Sequence, residues 1–173
     1  MAAKSDEGRS VEGRRAATVT LPSEREIVIT RFFDARRVIV FDAWTKAEHI
    51  ARWWDPRRKP LALCELDLRP GGAFRFVLQD PERAGHDFRG RYLEIVRPAR
   101  LVLATPGPSA GAESVGTLLF EERDGKTTLT MTIECACKND RDALLRMRVD
   151  VGTSQTLDNL AEYLRESLQE RTP

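Results

Sequence analysis

Residues 126–135 read KTTLTMTIEC, in which leucine, methionine and isoleucine alternate with threonine and glutamate. A period of two places the apolar side chains on one face of a β-strand and the polar ones on the other. One buried face and one wet face are typical of an antiparallel sheet. The dipeptide Asp124-Gly125 lies just before this strand and is a hairpin signal, so segment 114–123 is predicted to pair with it.

Turn signals divide the rest of the chain into further strands. Proline presets φ and glycine supplies positive φ, so Arg69-Pro70-Gly71-Gly72 predicts a tight turn. The β-branched and aromatic residues between such turns favour strands. Seven strands are predicted in all, at 26–33, 61–68, 73–79, 87–96, 101–105, 114–123 and 126–135.

Helices are predicted at two places. After the first strand, Asp34 is predicted to cap a short helix through Phe41, because its carboxylate can accept N–H groups of the first turn; a second short helix spans 46–53. Asn139 or Asp140 is predicted to cap one long C-terminal helix that runs to about Ser167. Its apolar stripe consists of Leu144, Met147, Val151, Ser154, Leu157, Leu160, Ala161, Leu164 and Leu168.

These elements predict an α+β domain. A sheet with one apolar face and a long amphipathic helix stabilise each other by burying those faces together. The chain has 173 residues, enough for one core. The expected organisation is a disordered N-terminal tail at 1–23, one domain at 24–168 and a C-terminal tail at 169–173.

Composition and charge exclude several function classes. A net charge of +1 gives no large field to attract nucleic acid or an anionic membrane. No stretch reaches the length of a membrane helix, and the first 22 residues hold no apolar core of a secretory signal, so a cytoplasmic location is expected. Three cysteines and two histidines show no metal-ligand spacing. The sequence therefore predicts no cofactor, no metal and no nucleic-acid or membrane partner.

Seven short motifs, in order and at fitting spacing, give the chain a resemblance to a known family. They are RFFDA (31–35), VFDAWT (40–45), EHIARWW (48–54), DLRPGGAF (67–74), FRGRYLEIV (88–96), FEERDGKT (120–127) and LDNLAEYL (157–164). Together they resemble the activator-of-Hsp90-ATPase homologue 1-like family of the START/Bet v 1-like (SRPBCC) superfamily. The resemblance implies a helix-grip fold, in which a curved seven-stranded sheet wraps around the C-terminal helix, with a cavity between them that often takes apolar ligands.

The candidate binding residues are those expected on the inner sheet face, at the Trp53-Trp54 pair and on the facing side of the last helix. Of the two tryptophans, one is expected to pack inward and the other to lie near the cavity entrance. Gly152 costs about 1 kcal/mol in a helix interior, so it is expected to serve either close helix–sheet packing or space for a ligand. The predicted ligand-binding set is Trp53, Trp54, Phe74, Phe76, Phe88, Tyr92, Met131, Met147, Val151 and Gln155.

The candidate residues and the family resemblance lead to three hypotheses for the function. The favoured one is binding of a small apolar molecule, oriented by a polar group such as Tyr92 or Gln155. The second, implied by the family resemblance, is an association with an Hsp90-type chaperone as an activator of its ATPase. The third is a cyclase or hydrolase on polyketide-like substrates. No catalytic residue is assigned, because Asp67 with Arg69 is expected to form a structural ion pair and His49 to be exposed.

Overall fold

The structure is a computed structural model that describes residues 16–82 and 87–169. Eight strands and four helices follow one another along this part of the chain. The strands are β1 (Thr18–Thr20), β2 (Glu26–Phe33), β3 (Leu61–Leu66), β4 (Ala73–Leu78), β5 (Asp87–Val96), β6 (Arg100–Pro106), β7 (Glu113–Arg123) and β8 (Lys126–Glu134). The helices are α1 (Arg37–Thr45), α2 (Ala47–Trp53), α3 (Lys138–Arg146) and α4 (Val149–Gln169).

The strands form one antiparallel sheet in the order β1-β2-β8-β7-β6-β5-β4-β3. The α+β helix-grip architecture predicted from the sequence is confirmed, since the C-terminal helix packs on one face of this sheet through Leu157, Leu160 and Leu164. We call this the inner face. The predicted hairpin is also confirmed: Asp124 and Gly125 take φ values of 53° and 73° between β7 and β8.

The predicted strand number is wrong by one, because β1 lies inside the segment expected to be a disordered tail. It pairs with β2, with Val19 opposite Ile29. All three of its side chains are exposed, so it shows no alternation of buried and wet positions that a sequence pattern could reveal. The remaining predicted tails, at 1–15 and 170–173, lie outside the described residues.

The prediction of a single long C-terminal helix is also wrong, because α3 and α4 are separate helices. Arg148, between them, has a φ of 59°, in the left-handed region that a helix cannot continue through. The predicted caps differ as well. Cys137 occupies the N-cap position of α3 without a side-chain cap bond, in place of Asn139 or Asp140.

Asp34 does not cap α1, which begins three residues later at Arg37. The backbone N–H of Arg37 instead donates to Oε2 of Glu122 at 2.8 Å. A carboxylate from β7 therefore replaces the local cap and fastens the start of α1 to the sheet. The second predicted helix is confirmed as α2, within one residue at its start.

Candidate functional site

Some apolar side chains on the inner face are only partly buried. In β8, Leu129 is fully buried, whereas Met131 and Ile133 are half-buried. Ile133 lies opposite Gly116 of β7, and Gly116 lies opposite half-buried Leu103 of β6. On the other side, Ile27 and Ile29 of β2 are fully buried although they lie opposite Ile133 and Met131. Partly exposed apolar side chains therefore extend from β8 to β6 on this face, next to fully buried ones.

Two further aromatic side chains, Trp54 and Phe88, are partly exposed at β4 and β5. The ring of Trp54 lies 5.0 Å from that of Phe76 and 5.0 Å from that of Phe88. Phe76 is buried, whereas Trp54 and Phe88 keep solvent contact. Several apolar side chains pack on the core and remain partly exposed, and we call five of them the half-buried patch: Trp54, Phe88, Leu103, Met131 and Ile133.

Beside this patch lies an aromatic floor. The Phe74 ring is 5.1 Å from that of Tyr92 and 5.4 Å from that of Phe88. Phe74, Phe76 and Tyr92 are at most 4% exposed. These three predicted binding residues are therefore on the expected face, but they contribute chiefly as core.

Trp53 is a packing anchor, as expected for one member of the tryptophan pair. It is fully buried, its indole N–H donates to the carbonyl of Ala43 at 3.0 Å, and its ring lies 4.9 Å from that of Trp44. Its polar atom and its ring are therefore both satisfied by contacts within the protein. Trp54 is the member of the pair that retains exposed surface.

Helix α4 approaches the Trp54 segment on the side that carries Gly152. Thr156, one turn after Gly152, has its hydroxyl 3.4 Å from the Trp54 carbonyl, and Asn159 donates to the Asp55 carbonyl at 2.9 Å. A Cβ atom added at Gly152 would have no heavy atom within 4 Å, apart from its chain neighbours and its own helix backbone. The space next to this half-buried glycine is therefore open, and close packing does not explain it.

Two residues of the predicted ligand-binding set, Met147 and Gln155, are exposed and do not lie on the inner side of the helices. Met147 is 54% exposed, because it lies where α3 ends and the predicted stripe is interrupted. Gln155 is exposed, because at about 100° per residue it lies roughly 200° around α4 from buried Leu157. Val151, the third candidate there, is half-buried.

Two titratable groups share the inner face with the half-buried patch. Burial raises the pKa of the Tyr92 hydroxyl far above its usual value and also raises the pKa of the Cys64 thiol. Both groups are consequently protonated at neutral pH. The Cys64 thiol donates to the carbonyl of Ala47, 3.7 Å from Sγ to the oxygen, and neither group supplies a base.

Arg31 is a charged residue on the inner face that was not among the site residues predicted from the sequence. Arg31 of β2 lies on the same face as Ile27, Ile29 and Phe33, which all point inward. It is 6% exposed. The signal was available, because a charged residue occupies one of four alternating positions that otherwise hold large apolar side chains. Its Nη1 atom lies 3.1 Å from Oδ1 of Asp158 on α4.

The other sequence candidates form local contacts. Asp67 and Arg69 make the expected ion pair, 2.7 Å from Oδ2 to Nε, and both are exposed. The prediction that His49 is exposed is wrong, because His49 is half-buried and its Nδ1 lies 2.6 Å from the Tyr163 hydroxyl of α4. Within residues 16–82 and 87–169 there is no group of three His, Cys, Asp or Glu residues that could hold a metal ion.

Two open clefts lie away from the half-buried patch. One, of about 500 Å³, is on the outer face of the sheet, where Arg75 and Arg91 are held in ion pairs by Asp87 and Glu113. The other, of about 440 Å³, lies beside α4 and includes Gln155. The first cleft is lined by charged side chains and also by apolar residues, Phe74 and Pro106 among them, and the second by Arg57, Asp158 and two amide side chains.

Comparisons with solved structures show where else this fold occurs. A Nitrosomonas europaea protein is 23% identical, with a TM-score of 0.74, over 86% of this chain and 99% of its own. A Rhodobacter sphaeroides protein is 23% identical, with a TM-score of 0.75, over 87% and 98%. A Rhizobium leguminosarum protein is 28% identical, with a TM-score of 0.61, over 87% and 97%.

A family profile identifies the family to which the chain belongs. No curated protein matches the chain. Among the helices of the described segments, none combines the length and the apolar character needed to span a bilayer. The family profile for activator of Hsp90 ATPase homolog 1-like protein matches residues 34–165. The chain therefore belongs to the activator of Hsp90 ATPase homolog 1-like family.

Proposed function

We propose that the chain binds a small, mostly apolar molecule between α4 and the inner face of the sheet. The observation that carries this proposal is the half-buried patch, which leaves apolar surface in contact with solvent on the face that otherwise forms the core. Removing such apolar surface from water contributes about 25 cal/mol per Å² to the free energy of binding. A ligand that covers the patch thus gains affinity without displacing a packed side chain.

The open space at Gly152 supports the same location. Gly152 lies one turn before Thr156, whose hydroxyl contacts the Trp54 carbonyl, so a ligand lying on Trp54 and Phe88 is proposed to extend into the open space beside Gly152. The protonated Tyr92 hydroxyl is the proposed hydrogen-bond donor that orients it. The same protonation counts against acid–base catalysis by Tyr92 or Cys64.

Binding of a neutral fluorescent probe tests this function. We expect N-phenyl-1-naphthylamine to show a saturable rise in fluorescence with one site per chain, because its two aromatic systems match the apolar patch. Native mass spectrometry of freshly purified protein should in addition show a retained small molecule. A probe signal that rises linearly without saturation, together with a mass equal to that of the bare chain, would contradict the proposal.

The family description supports a second candidate, association with an Hsp90-type chaperone. The ATPase rate of such a chaperone, measured with and without the chain, decides it: a stimulated rate supports the candidate and an unchanged rate removes it. A cytoplasmic location is compatible with both candidates and stays a prediction.

A further inference from the structure

Arg31 brings a positive charge to an otherwise apolar stretch of the inner face. It is 6% exposed and pairs in register with Leu129 of β8, which is fully buried. Met131, the next inward-facing residue of β8, belongs to the half-buried patch. Diagonal neighbours of this kind are about 7–8 Å apart, which is within reach of a long side chain. The Arg31 side chain therefore starts beside one end of the proposed ligand site, and its guanidinium lies at Asp158 of α4.

The hydrogen-bonding capacity of this guanidinium is not satisfied by the protein. Within the described residues, Nε and Nη1 of Arg31 are buried and make no hydrogen bond, although Nη1 is 3.1 Å from Oδ1 of Asp158. The Asp158 side chain is 60% exposed, so much of its charge is solvated by water. Buried donors without acceptors are rare and costly, at about 1–3 kcal/mol each.

We propose that Arg31 binds the carboxylate of an amphipathic ligand whose apolar part covers the half-buried patch. This inference rests on the proposed function and adds the chemical class of the ligand. A carboxylate supplies oxygen acceptors for the free donors and adds only a single negative charge beside the Arg31–Asp158 pair. A dianion such as a phosphate monoester fits less well, because its second charge would face Asp158 across the same guanidinium.

Two probes of equal chain length separate the charge from the apolar tail. Decanoate and 1-decanol are each titrated against protein loaded with N-phenyl-1-naphthylamine, at neutral pH. In the unmodified protein we expect decanoate to displace the probe at least about tenfold more effectively, which corresponds to about 1.4 kcal/mol. In Arg31→Met we expect this advantage to disappear while decanol displaces the probe as before.

Asp158→Asn is expected to change decanoate binding in the opposite direction to Arg31→Met, and it also provides a check on folding. Its side chain is largely exposed, so the variant should fold, and loss of the competing carboxylate should strengthen decanoate binding several-fold without changing decanol. A pair that only fastens α4 to β2 would instead weaken both probes in both variants.

The outcomes distinguish the subsite from the function on which it rests. Equal displacement by decanoate and decanol in the unmodified protein, with normal binding of the naphthylamine probe, overturns the carboxylate subsite alone. Absence of saturable binding of the naphthylamine probe overturns the proposed function and the subsite with it. If Arg31→Met does not fold, the unmodified protein and Asp158→Asn still decide between these results.

Discussion

Substitution of Gly152 by leucine is expected to abolish saturable binding of N-phenyl-1-naphthylamine while making the protein slightly more stable. The leucine side chain would enter the open space beside Gly152 that the ligand is proposed to use. Leucine is also a better helix former than glycine, by up to about 1 kcal/mol. Probe titration and urea unfolding, measured on the same preparation, should therefore change in opposite directions.

Gly152→Ala is the matched control. A single methyl group meets no heavy atom within 4 Å, so it improves helix propensity without filling the space. We expect its probe affinity to stay within about twofold of the unmodified protein. If the leucine variant binds the probe as well as the alanine variant, the ligand does not lie beneath this part of α4.

Substitution of Gly90 by alanine is expected to have the largest effect on stability, a loss of about 3 kcal/mol or more. Gly90 is on the inner face of β5, and its added Cβ would lie 2.1 Å from the Ala104 carbonyl oxygen and 2.7 Å from the Phe74 ring. The carbonyl oxygen belongs to a neighbouring strand and cannot move without disturbing the sheet. Urea unfolding measures the loss directly.

Gly116→Ala is the control for this prediction. Gly116 is also on the inner face, but its added Cβ would meet a terminal methyl of Leu103 at 3.0 Å, and that methyl can rotate away. We expect a cost of about 1 kcal/mol or less. Equal unfolding midpoints for the two alanine variants would show that the contact at Gly90 does not constrain the sheet.

Part of the fold could be predicted because its signals are local. The alternation in β8 and the Asp124-Gly125 turn specify a hairpin whatever surrounds them. The break between α3 and α4 gave no such signal, because the left-handed position is held by Arg148, where glycine or asparagine is usual. Strand β1 was missed because it gains its stability from pairing with β2 and not from a buried face.

The candidate site shows the same division. Alternation fixes which side chains face inward, so the face of Phe74, Phe88 and Met131 was predictable from the sequence. How deeply each is covered depends on where the helices lie, and no local pattern reports that. Met131 is consequently half-buried while Leu129, two residues before it on the same face, is completely buried.

Methyl NMR with the methionines labelled at Cε tests the central claim most directly. Met131 belongs to the half-buried patch, whereas Met147 is 54% exposed between α3 and α4 and serves as an internal reference. With N-phenyl-1-naphthylamine at saturation, we expect intermolecular NOEs and a large shift change at the Met131 methyl and neither at Met147. NOEs confined to Met147, with an unchanged Met131 signal, would show that the probe does not bind on the inner face.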